Sequence, residues 1–287
     1  MLKGVLLAIL SNLLFGLGYY FAILFQPLTD MQMFGLRIVV VLPFILLAIL
    51  LFSQQRAFKE LLQKIRRKPP LVAVLLLLAA NSGVQLWLFL WAPNNNQALQ
   101  VSIGYLLLPI VSVALGKLVF KEQFTPLKWA SLAFAVIGVG SNIWLSSAIS
   151  WATFVAGFGY PIYIVLRRYF QINHLATLFV ELLLCLPFAL HFASQVDFSF
   201  VQSQNPQIYW YLALFGLVNG IAFMSYISSS NLLPMNILGM IGYLEPLVML
   251  SISFAIGEVL EAKAYILMIC LAISIFLLCL DGFRKRR

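Results

Sequence analysis

The sequence predicts an all-helical membrane protein of ten transmembrane helices, arranged as two five-helix repeats that lie inverted in the bilayer. Three observations predict this fold: the composition, the lengths of the apolar segments and a repeat within the chain. Of the 287 residues, 63% are hydrophobic and 9% are charged, whereas an ordinary soluble domain has about 25% charged residues. A soluble protein of this size has too little interior to bury so much apolar surface, so we expect the bilayer to be its solvent.

The apolar segments have the length of transmembrane helices. A helix needs about 20 apolar residues to cross a bilayer. Polar gaps and Pro/Gly clusters divide the chain into ten such spans: 3–25, 31–52, 71–91, 97–118, 125–145, 149–166, 174–193, 208–230, 235–257 and 262–281. The first is too long for the apolar core of a signal peptide, so we expect it to remain as helix 1. Only the gaps 53–70 and 194–207 are long, and neither could fold as a domain.

The basic residues indicate the orientation of the chain. The formal net charge is +9, but the positive side chains lie between or at the ends of apolar segments, which is typical of topology signals and not of nucleic-acid binding. Of the 18 basic residues, all except Arg37 and Lys263 lie on one side. This pattern predicts a multi-pass protein of the cell inner membrane with both termini in the cytoplasm. The expected partners are the lipid bilayer and a small-molecule substrate, and the oligomeric state stays open, a monomer included.

The second half of the chain repeats motifs of the first half in the same order. Four pairs recur with offsets of 138 to 144 residues. The pairs are Gly16-Leu17-Gly18-Tyr19 with Gly157-Phe158-Gly159-Tyr160, Leu42-Pro43-Phe44 with Leu186-Pro187-Phe188, Asn81 with Asn219, and Ile103-Gly104-Tyr105-Leu106 with Ile241-Gly242-Tyr243-Leu244. They predict a first repeat at 1–145 and a second at 146–287. Because five is an odd number of helices, the second repeat must enter the membrane from the opposite side, as in transporters that alternate access to a midplane site.

The most specific motifs lie at the end of helix 3 and along helix 4. They read Val84-Gln85-Leu86-Trp87-Leu88-Phe89-Leu90-Trp91-Ala92-Pro93-Asn94-Asn95 and Ser102-Ile103-Gly104-Tyr105, followed by Pro109 and Lys121-Glu122. Helix 9 adds Leu244-Glu245-Pro246 followed by Gly257-Glu258. These motifs resemble the RarD-type permeases of the EamA branch of the drug/metabolite transporter superfamily. The resemblance implies a ten-helix inner-membrane fold and transport of small metabolites or drugs, in a family associated with chloramphenicol sensitivity.

Three ionisable residues, Arg37, Glu181 and Glu245, lie inside predicted spans. Such groups usually face the bundle interior or a water-filled cavity. With a rise of about 1.5 Å per residue, Arg37 lies about 9 Å from the outer boundary and Glu181 about 9 Å from the inner one, which is too far apart for a direct ion pair. We expect them to act as gates or anchors on opposite sides. The alternatives are an arginine that extends to the outer interface and a glutamate that is hydrogen-bonded to a neighbouring helix.

Glu245 lies about 15 Å deep, near the bilayer midplane. Its neighbour Pro246 lacks a backbone donor and interrupts the helix, as transporters do beside binding sites. Arg37 is only about 6 Å away in depth, so we expect it to be the charged partner of Glu245. The hypothesis is that Glu245 changes its protonation during transport, and the alternative is a structural carboxyl that stays protonated.

Uncharged polar and aromatic residues complete the predicted site. Asn81 and Asn219 lie near the midplane, one in each half, and could bind substrate or each other, with helix-to-helix hydrogen bonding as the alternative. Trp87, Tyr105 and Tyr243 could line a cavity and stack on a planar substrate.

The sequence lacks the motifs of common enzymes and of ATP-driven pumps. It has no P-loop, no His-Glu-x-x-His and no Gly-x-Ser-x-Gly motif, so we expect no enzyme activity. Cys185, Cys270 and Cys279 lie in apolar segments, and we expect no disulfide, metal or cofactor. The predicted function is a secondary transporter that moves a small metabolite or drug-like molecule by alternating access, with proton-coupled export as one hypothesis. An integral membrane enzyme acting on a lipid-linked substrate and a channel are the alternatives.

Overall fold

The computed structural model describes residues 2–51, 55–121, 124–146, 150–233 and 241–284. In these residues the regular elements are helices, with a short 3-10 turn at Ala262–Ala264. The helices are α1 (Leu2–Gly18), α2 (Phe21–Leu24), α3 (Asp30–Leu51), α4 (Gln55–Arg67), α5 (Leu71–Asn94), α6 (Ala98–Phe120), α7 (Pro126–Ser146), α8 (Trp151–Tyr169), α9 (Leu175–Ala193), α10 (Phe198–Gln204), α11 (Ile208–Leu232), α12 (Leu244–Ala255) and α13 (Tyr265–Arg284).

The all-helical membrane fold is confirmed. Within the described residues, seven helical segments are long and apolar enough to cross a membrane: α1 with α2, α3, α5, α6, α9, α11 and the segment Ala262–Asp281. Helices α7 and α8 coincide with predicted spans but are less apolar, and α8 ends beside Arg167 and Arg168. The predicted span 235–257 is represented by α12, which has 12 residues, because residues 234–240 lie outside the described part of the chain.

The helices pack in pairs that follow the internal repeat. The repeat relates α1 to α8, α3 to α9, α5 to α11, α6 to α12 and α7 to α13. The packing follows this relation. Helix α6 packs on α8, and their counterparts α12 and α1 also pack together. Likewise, α5 packs on α8, and their counterparts α11 and α1 pack together. The remaining large contacts join a helix to its own counterpart, α3 to α9 and α7 to α13. The most extensive contacts therefore connect the two halves, and the central core is shared between them.

Glycines allow the paired helices to approach closely. A Cβ atom on Gly104 of α6 would lie 2.6 Å from the carbonyl oxygen of Thr153 in α8. In the corresponding pair, a Cβ atom on Gly16 of α1 would lie 2.7 Å from Cβ of Val248 in α12. Small residues at such contacts are the usual means of tight helix association in membranes.

Helix α4 lies outside the bundle, at the side that the sequence predicts to be cytoplasmic. Its buried Leu61 packs against the ends of α5 and α8, where it contacts a cluster with Leu75, Leu78 and Tyr163. The opposite face is basic and exposed, as in Arg56 and other residues of this helix. This amphipathic pattern is typical of a helix that lies along a membrane surface.

Candidate functional site

Glu245 lies in the first turn of α12, directly after a turn at Gly242 and Tyr243. Its backbone packs on α1, because a Cβ atom on Gly16 would lie 3.1 Å from the Glu245 carbonyl oxygen. The side chain is half-buried, and among the described residues its carboxylate has no hydrogen-bond or ion-pair partner. It interacts electrostatically with Arg37 across the interior. The break before α12 therefore presents an unpaired carboxylate inside the bundle.

Arg37 of α3 is turned into the bundle and does not extend to the outer interface. Its Nη1 donates a hydrogen bond of 3.2 Å to the carbonyl oxygen of Leu86. The guanidinium lies over two aromatic rings, 4.7 Å from the centroid of Phe89 and 5.6 Å from that of Phe215. No ion pair within 4.0 Å joins it to Glu245 or to another acidic side chain of the described residues. Arg37 and Glu245 are thus two opposite charges in one interior region that do not neutralise each other by contact.

Two partly exposed tyrosines belong to the electrostatic surroundings of Glu245. Tyr160 of α8 and Tyr226 of α11 both interact electrostatically with Glu245. Tyr160 also contacts buried Tyr105, with ring centroids 6.4 Å apart. Tyr160 exposes 39% of its surface and Tyr226 exposes 44%.

A layer of hydrogen bonds joins α5, α6 and α8. Tyr105 donates to Oε1 of Gln85 at 3.2 Å, and Nε2 of Gln85 donates to the Val155 carbonyl at 2.7 Å. Nδ2 of Asn81 donates to the Gly159 carbonyl at 3.1 Å. A side chain at Gly159 would collide with Gln85, so the glycine is required for this layer. The Oδ1 atom of Asn81 is buried and has no partner among the described residues.

Gln85 belongs to this layer, although the sequence analysis did not select it as a site residue. Asn81 and Gln85 are four positions apart on α5 and therefore share one face of the helix. That spacing was the available signal, since both are polar residues within an otherwise apolar span.

Three of the predicted binding residues show no direct contact with Arg37 or Glu245 among the described residues. Trp87 belongs to an aromatic cluster, with its ring 5.3 Å from Trp91 and stacked 6.2 Å from Trp151. Buried Asn219 donates to the Phe215 carbonyl of its own helix at 2.8 Å. It does not bond to Asn81, whose Nδ2 donates to Gly159, so of the alternatives for these asparagines the structure shows bonds to nearby carbonyls and no direct bond between the two. Buried Tyr243 interacts electrostatically with Cys279 of α13.

Glu181 lies in a second buried charged cluster at the other end of α8. Its Oε2 accepts a hydrogen bond of 2.6 Å from Tyr163, and Tyr163 in turn accepts one from Nη1 of Arg167. Nη2 of Arg167 donates to the His174 carbonyl. The sequence analysis counted Arg167 among the basic residues that indicate topology, and the structure adds that its side chain is only 7% exposed. The His174 carbonyl that it binds lies directly before α9. Glu181 and Arg37 do not contact each other.

The predicted outer end is sealed by hydrogen bonds between the two halves. Both carboxylate oxygens of Glu258 accept hydrogen bonds from the start of α6, from the amides of Ala98 at 2.8 Å and Leu99 at 2.5 Å. Nδ2 of Asn205 donates to the Leu24 carbonyl at 2.8 Å. Deeper in the bundle, Ser102 bonds to Ser253 at 3.1 Å. A carboxylate at a helix N-terminus satisfies unpaired amides and favours the helix dipole, so Glu258 holds α6 against the end of α12.

A cavity of about 690 Å³ lies above this seal and opens outward. Its polar lining includes Gln26, Asn94, Asn96, Gln100 and Glu258. Because Glu258 both lines this cavity and binds the start of α6, the cavity lies at the predicted outer end.

Comparison with known proteins finds transporters along the whole chain. The EamA-like transporter family matches at residues 2–144 and again at 146–280. An uncharacterized transporter of Pasteurella multocida is 45% identical over 100% of this chain and 99% of its own length. A transporter of Haemophilus influenzae, also uncharacterized, is 44% identical over 99% of this chain and 96% of its own. The chloramphenicol-sensitive protein RarD of Pseudomonas aeruginosa is 32% identical over 88% of this chain and 84% of its own.

Proposed function

Because the chain belongs to the EamA-like transporter family, we propose that it is a secondary transporter of the cell inner membrane that carries a small metabolite or drug-like molecule by alternating access. The observation that carries this proposal is the pair of opposite charges inside the bundle, Arg37 and Glu245, which form no ion pair among the described residues. An ionised group inside a membrane costs several kcal/mol, and such groups mark substrate and ion pathways.

The helix arrangement supports alternating access. Helix α1 packs on α11 and α12, and its counterpart α8 packs on the corresponding helices α5 and α6. At the predicted outer end, the carboxylate of Glu258 binds two amides at the start of α6. If α1 took up the packing that α8 now has, and α8 took up that of α1, the outer end would open and the inner end would close, while the central site would stay in place.

We assign proton coupling to Glu245. The carboxylate is half-buried and has no donor among the described residues, so its charge depends first on its burial and then on the field of Arg37. A movement of α3 relative to α12 would change this field and would load or release a proton. With an inward proton gradient, exchange of protons for substrate results in export.

Counterflow in proteoliposomes tests the transporter proposal. Purified protein is reconstituted with unlabelled compound inside, and labelled chloramphenicol and labelled L-α-amino acids are offered outside in turn. A carrier accumulates labelled compound transiently, whereas a channel shows no such trans-stimulation and an enzyme changes the molecule. Chloramphenicol is included because one relative is named for sensitivity to it. If none of these compounds shows counterflow, the proposal is contradicted.

The substitution Glu245→Gln tests the coupling. We expect exchange at saturating substrate to persist, since the amide keeps a similar shape, but we expect the rate to become independent of pH between about 5 and 8, because no titrating group remains. The matched control is Glu261→Gln, which alters an exposed carboxylate and should leave the pH profile unchanged. An unchanged profile in Glu245→Gln would return this residue to a structural role.

A further inference from the structure

Helix α4 has one flank that combines an exposed leucine with free positive charges. We infer that this flank binds an anionic phospholipid, with the headgroup phosphate between Lys59 and Arg66 and an acyl chain against Leu62. The lipid site is separate from the pair of charges inside the bundle, so it depends neither on the transported molecule nor on proton coupling.

Helix α4 lies at a membrane surface whichever way the chain is oriented. In the chain it follows α3 and precedes α5, and both of these helices are long and apolar enough to cross a bilayer. Its own sequence, Gln55–Arg67, is amphipathic and rich in arginine and lysine. A helix of this kind lies in the plane of the lipid headgroups. Lipid phosphates are therefore within reach of its side chains.

One flank of α4 is attached to the bundle. Nζ of Lys64 donates a hydrogen bond of 2.5 Å to the carbonyl oxygen of Gln171, in the turn between α8 and α9. Leu61 is buried in a cluster with Tyr163 of α8. Glu60, the acidic residue of α4, lies four positions before Lys64 and shares its side of the helix. The acidic charge of α4 is thus on the flank that faces the turn between α8 and α9.

The other flank carries the apolar and basic groups. Leu62 exposes 44% of its surface, and Lys59 and Arg66 lie three positions before it and four after it, so all three share one side of the helix. Both cations are exposed, and neither forms a hydrogen bond or ion pair with the described residues. Partly buried Ile65 lies four positions after Leu61 and three after Leu62. It continues the apolar surface from the bundle to this flank, which indicates the side of α4 that meets lipid.

This combination of groups fits an anionic phospholipid better than a soluble anion or a zwitterionic lipid. Lys59 and Arg66 are two helical turns apart, about 10 Å, and their long side chains can converge on one phosphate. Basic residues of a surface helix attract anionic headgroups. A soluble anion would leave Leu62 exposed, whereas an acyl chain covers it and removes apolar surface from water. A zwitterionic lipid carries an ammonium group that the two cations repel.

Lipid binding to the purified full-length protein in detergent tests this assignment. Native mass spectrometry measures the affinity of the first bound lipid, with dioleoyl-phosphatidylglycerol as the anionic probe and dioleoyl-phosphatidylcholine as the zwitterionic probe. We expect the wild type to bind the anionic lipid about tenfold more tightly or better. Glycerol phosphate carries the charge without acyl chains, so an equal concentration of it should not compete.

Two double substitutions that remove the same charge from α4 separate a site from a diffuse attraction. Lys59→Gln with Arg66→Gln should weaken binding of phosphatidylglycerol about tenfold and leave that of phosphatidylcholine unchanged. The matched control is Arg56→Gln with Arg67→Gln, which alters exposed residues on a different side of the helix. It should keep the preference for the anionic lipid. Because phosphatidylcholine is the internal reference, a selective loss cannot come from misfolding.

A third variant, Leu62→Gln, should weaken phosphatidylglycerol severalfold, because the acyl chain loses its apolar contact. Competition by glycerol phosphate, or unchanged lipid affinity in Leu62→Gln, would indicate a site for soluble anions and overturn the lipid assignment. Equal losses in the two double variants would show that only the net charge of α4 matters. Absence of a preference in the wild type, or an unchanged preference in Lys59→Gln with Arg66→Gln, would reject the site altogether.

Discussion

At the scale of single residues, the buried cluster of Arg167, Tyr163 and Glu181 shows how the protein holds charges that do not face the central site. The tyrosine hydroxyl donates to Glu181 and accepts from Arg167, so it relays the attraction between two charges that do not touch. Glu181 is fully buried, and its other carboxylate oxygen has no partner among the described residues. Such a cluster is sensitive to the loss of one member, because the opposite charge is then left uncompensated.

We predict that Arg167→Met destabilises the protein by about 3–5 kcal/mol, since it leaves Glu181 buried without a compensating charge. The double substitution Arg167→Met with Glu181→Leu should recover most of the loss, because no buried charge remains. Thermal unfolding of the three proteins in one detergent measures the effect. Equal stability of the single and double variants would contradict the electrostatic explanation.

The residues of this cluster illustrate what the sequence could and could not reveal. Glu181 was recognisable as an ionisable residue inside a span and as the repeat counterpart of Arg37. Arg167 was not recognisable as a buried residue, because a basic residue in the last turn of a transmembrane helix usually extends into water. Its burial depends on Tyr163, Glu181 and the His174 carbonyl, which come together only when α9 folds back against α8.

At the scale of helices, the contact of α3 with α9 has no space for a side chain at Gly35. A Cβ atom there would lie 2.5 Å from the carbonyl oxygen of Ala189 and 2.9 Å from the amide nitrogen of Ala193. Both are backbone atoms, so the helices would have to move apart.

We predict that Gly35→Ala lowers stability by about 1–3 kcal/mol, as expected for overpacking. The matched control is Gly140→Ala, because nothing lies within 4 Å of a Cβ atom at that position in α7. This control should be neutral or slightly stabilising, since alanine is the better helix former. Melting temperatures in one detergent compare the two variants, and a greater loss in Gly140→Ala would contradict the packing argument.

A second helix-scale prediction concerns the seal at the outer end. Glu258 binds two amides at the start of α6, and hydrogen bonds to a charged group contribute about 1.5–3 kcal/mol each. In Glu258→Ala we therefore expect the outer end to open more often.

Labelling of an introduced cysteine measures this opening. With Cys185, Cys270 and Cys279 replaced by alanine, Ser102→Cys places a thiol at a buried position deeper in the bundle than Glu258. A membrane-impermeant maleimide added from outside should label it about tenfold faster when Glu258 is also replaced by alanine. Glu261→Ala, a control in the same outer segment, should leave the rate unchanged. Equal rates in both variants would show that Glu258 does not hold the end closed.

Helix positions could be predicted because crossing a bilayer requires a minimum apolar length, and this requirement is local in the sequence. The neighbours on which each helix packs could not be predicted in the same way. Apart from the face of α5 that carries Asn81 and Gln85, helices α5 and α6 are almost uniformly apolar, so no amphipathic pattern indicates which of the other faces meets which neighbour. The bond between Tyr105 and Gln85 and the separation of Asn81 from Asn219 both depend on that choice.

At the scale of the whole molecule, duplication explains the arrangement that single helices do not. The halves were recognisable from four motif pairs, and the family match also divides the chain into two segments, 2–144 and 146–280. The motifs could not indicate that the largest contacts run between the halves, as with α6 on α8 and α11 on α1. A transporter built in this way can exchange two equivalent packing arrangements without unfolding either half.

The inverted duplication also requires a definite topology, and we predict that both termini and the 53–70 segment are cytoplasmic. Basic residues are retained on the cytoplasmic side during insertion, and α4 carries basic residues on its exposed face, beside the inner ends of α5 and α8. Reporter fusions after Lys68 and after Arg287 should both be fluorescent with a protein that matures only in the cytoplasm, and inactive with a phosphatase that requires the periplasm. A fusion after Gln204, in α10, should behave in the opposite way. A periplasmic signal after Lys68 or Arg287 would mean that the number of crossings in one half is not five, and the inverted relation between the halves would then be lost.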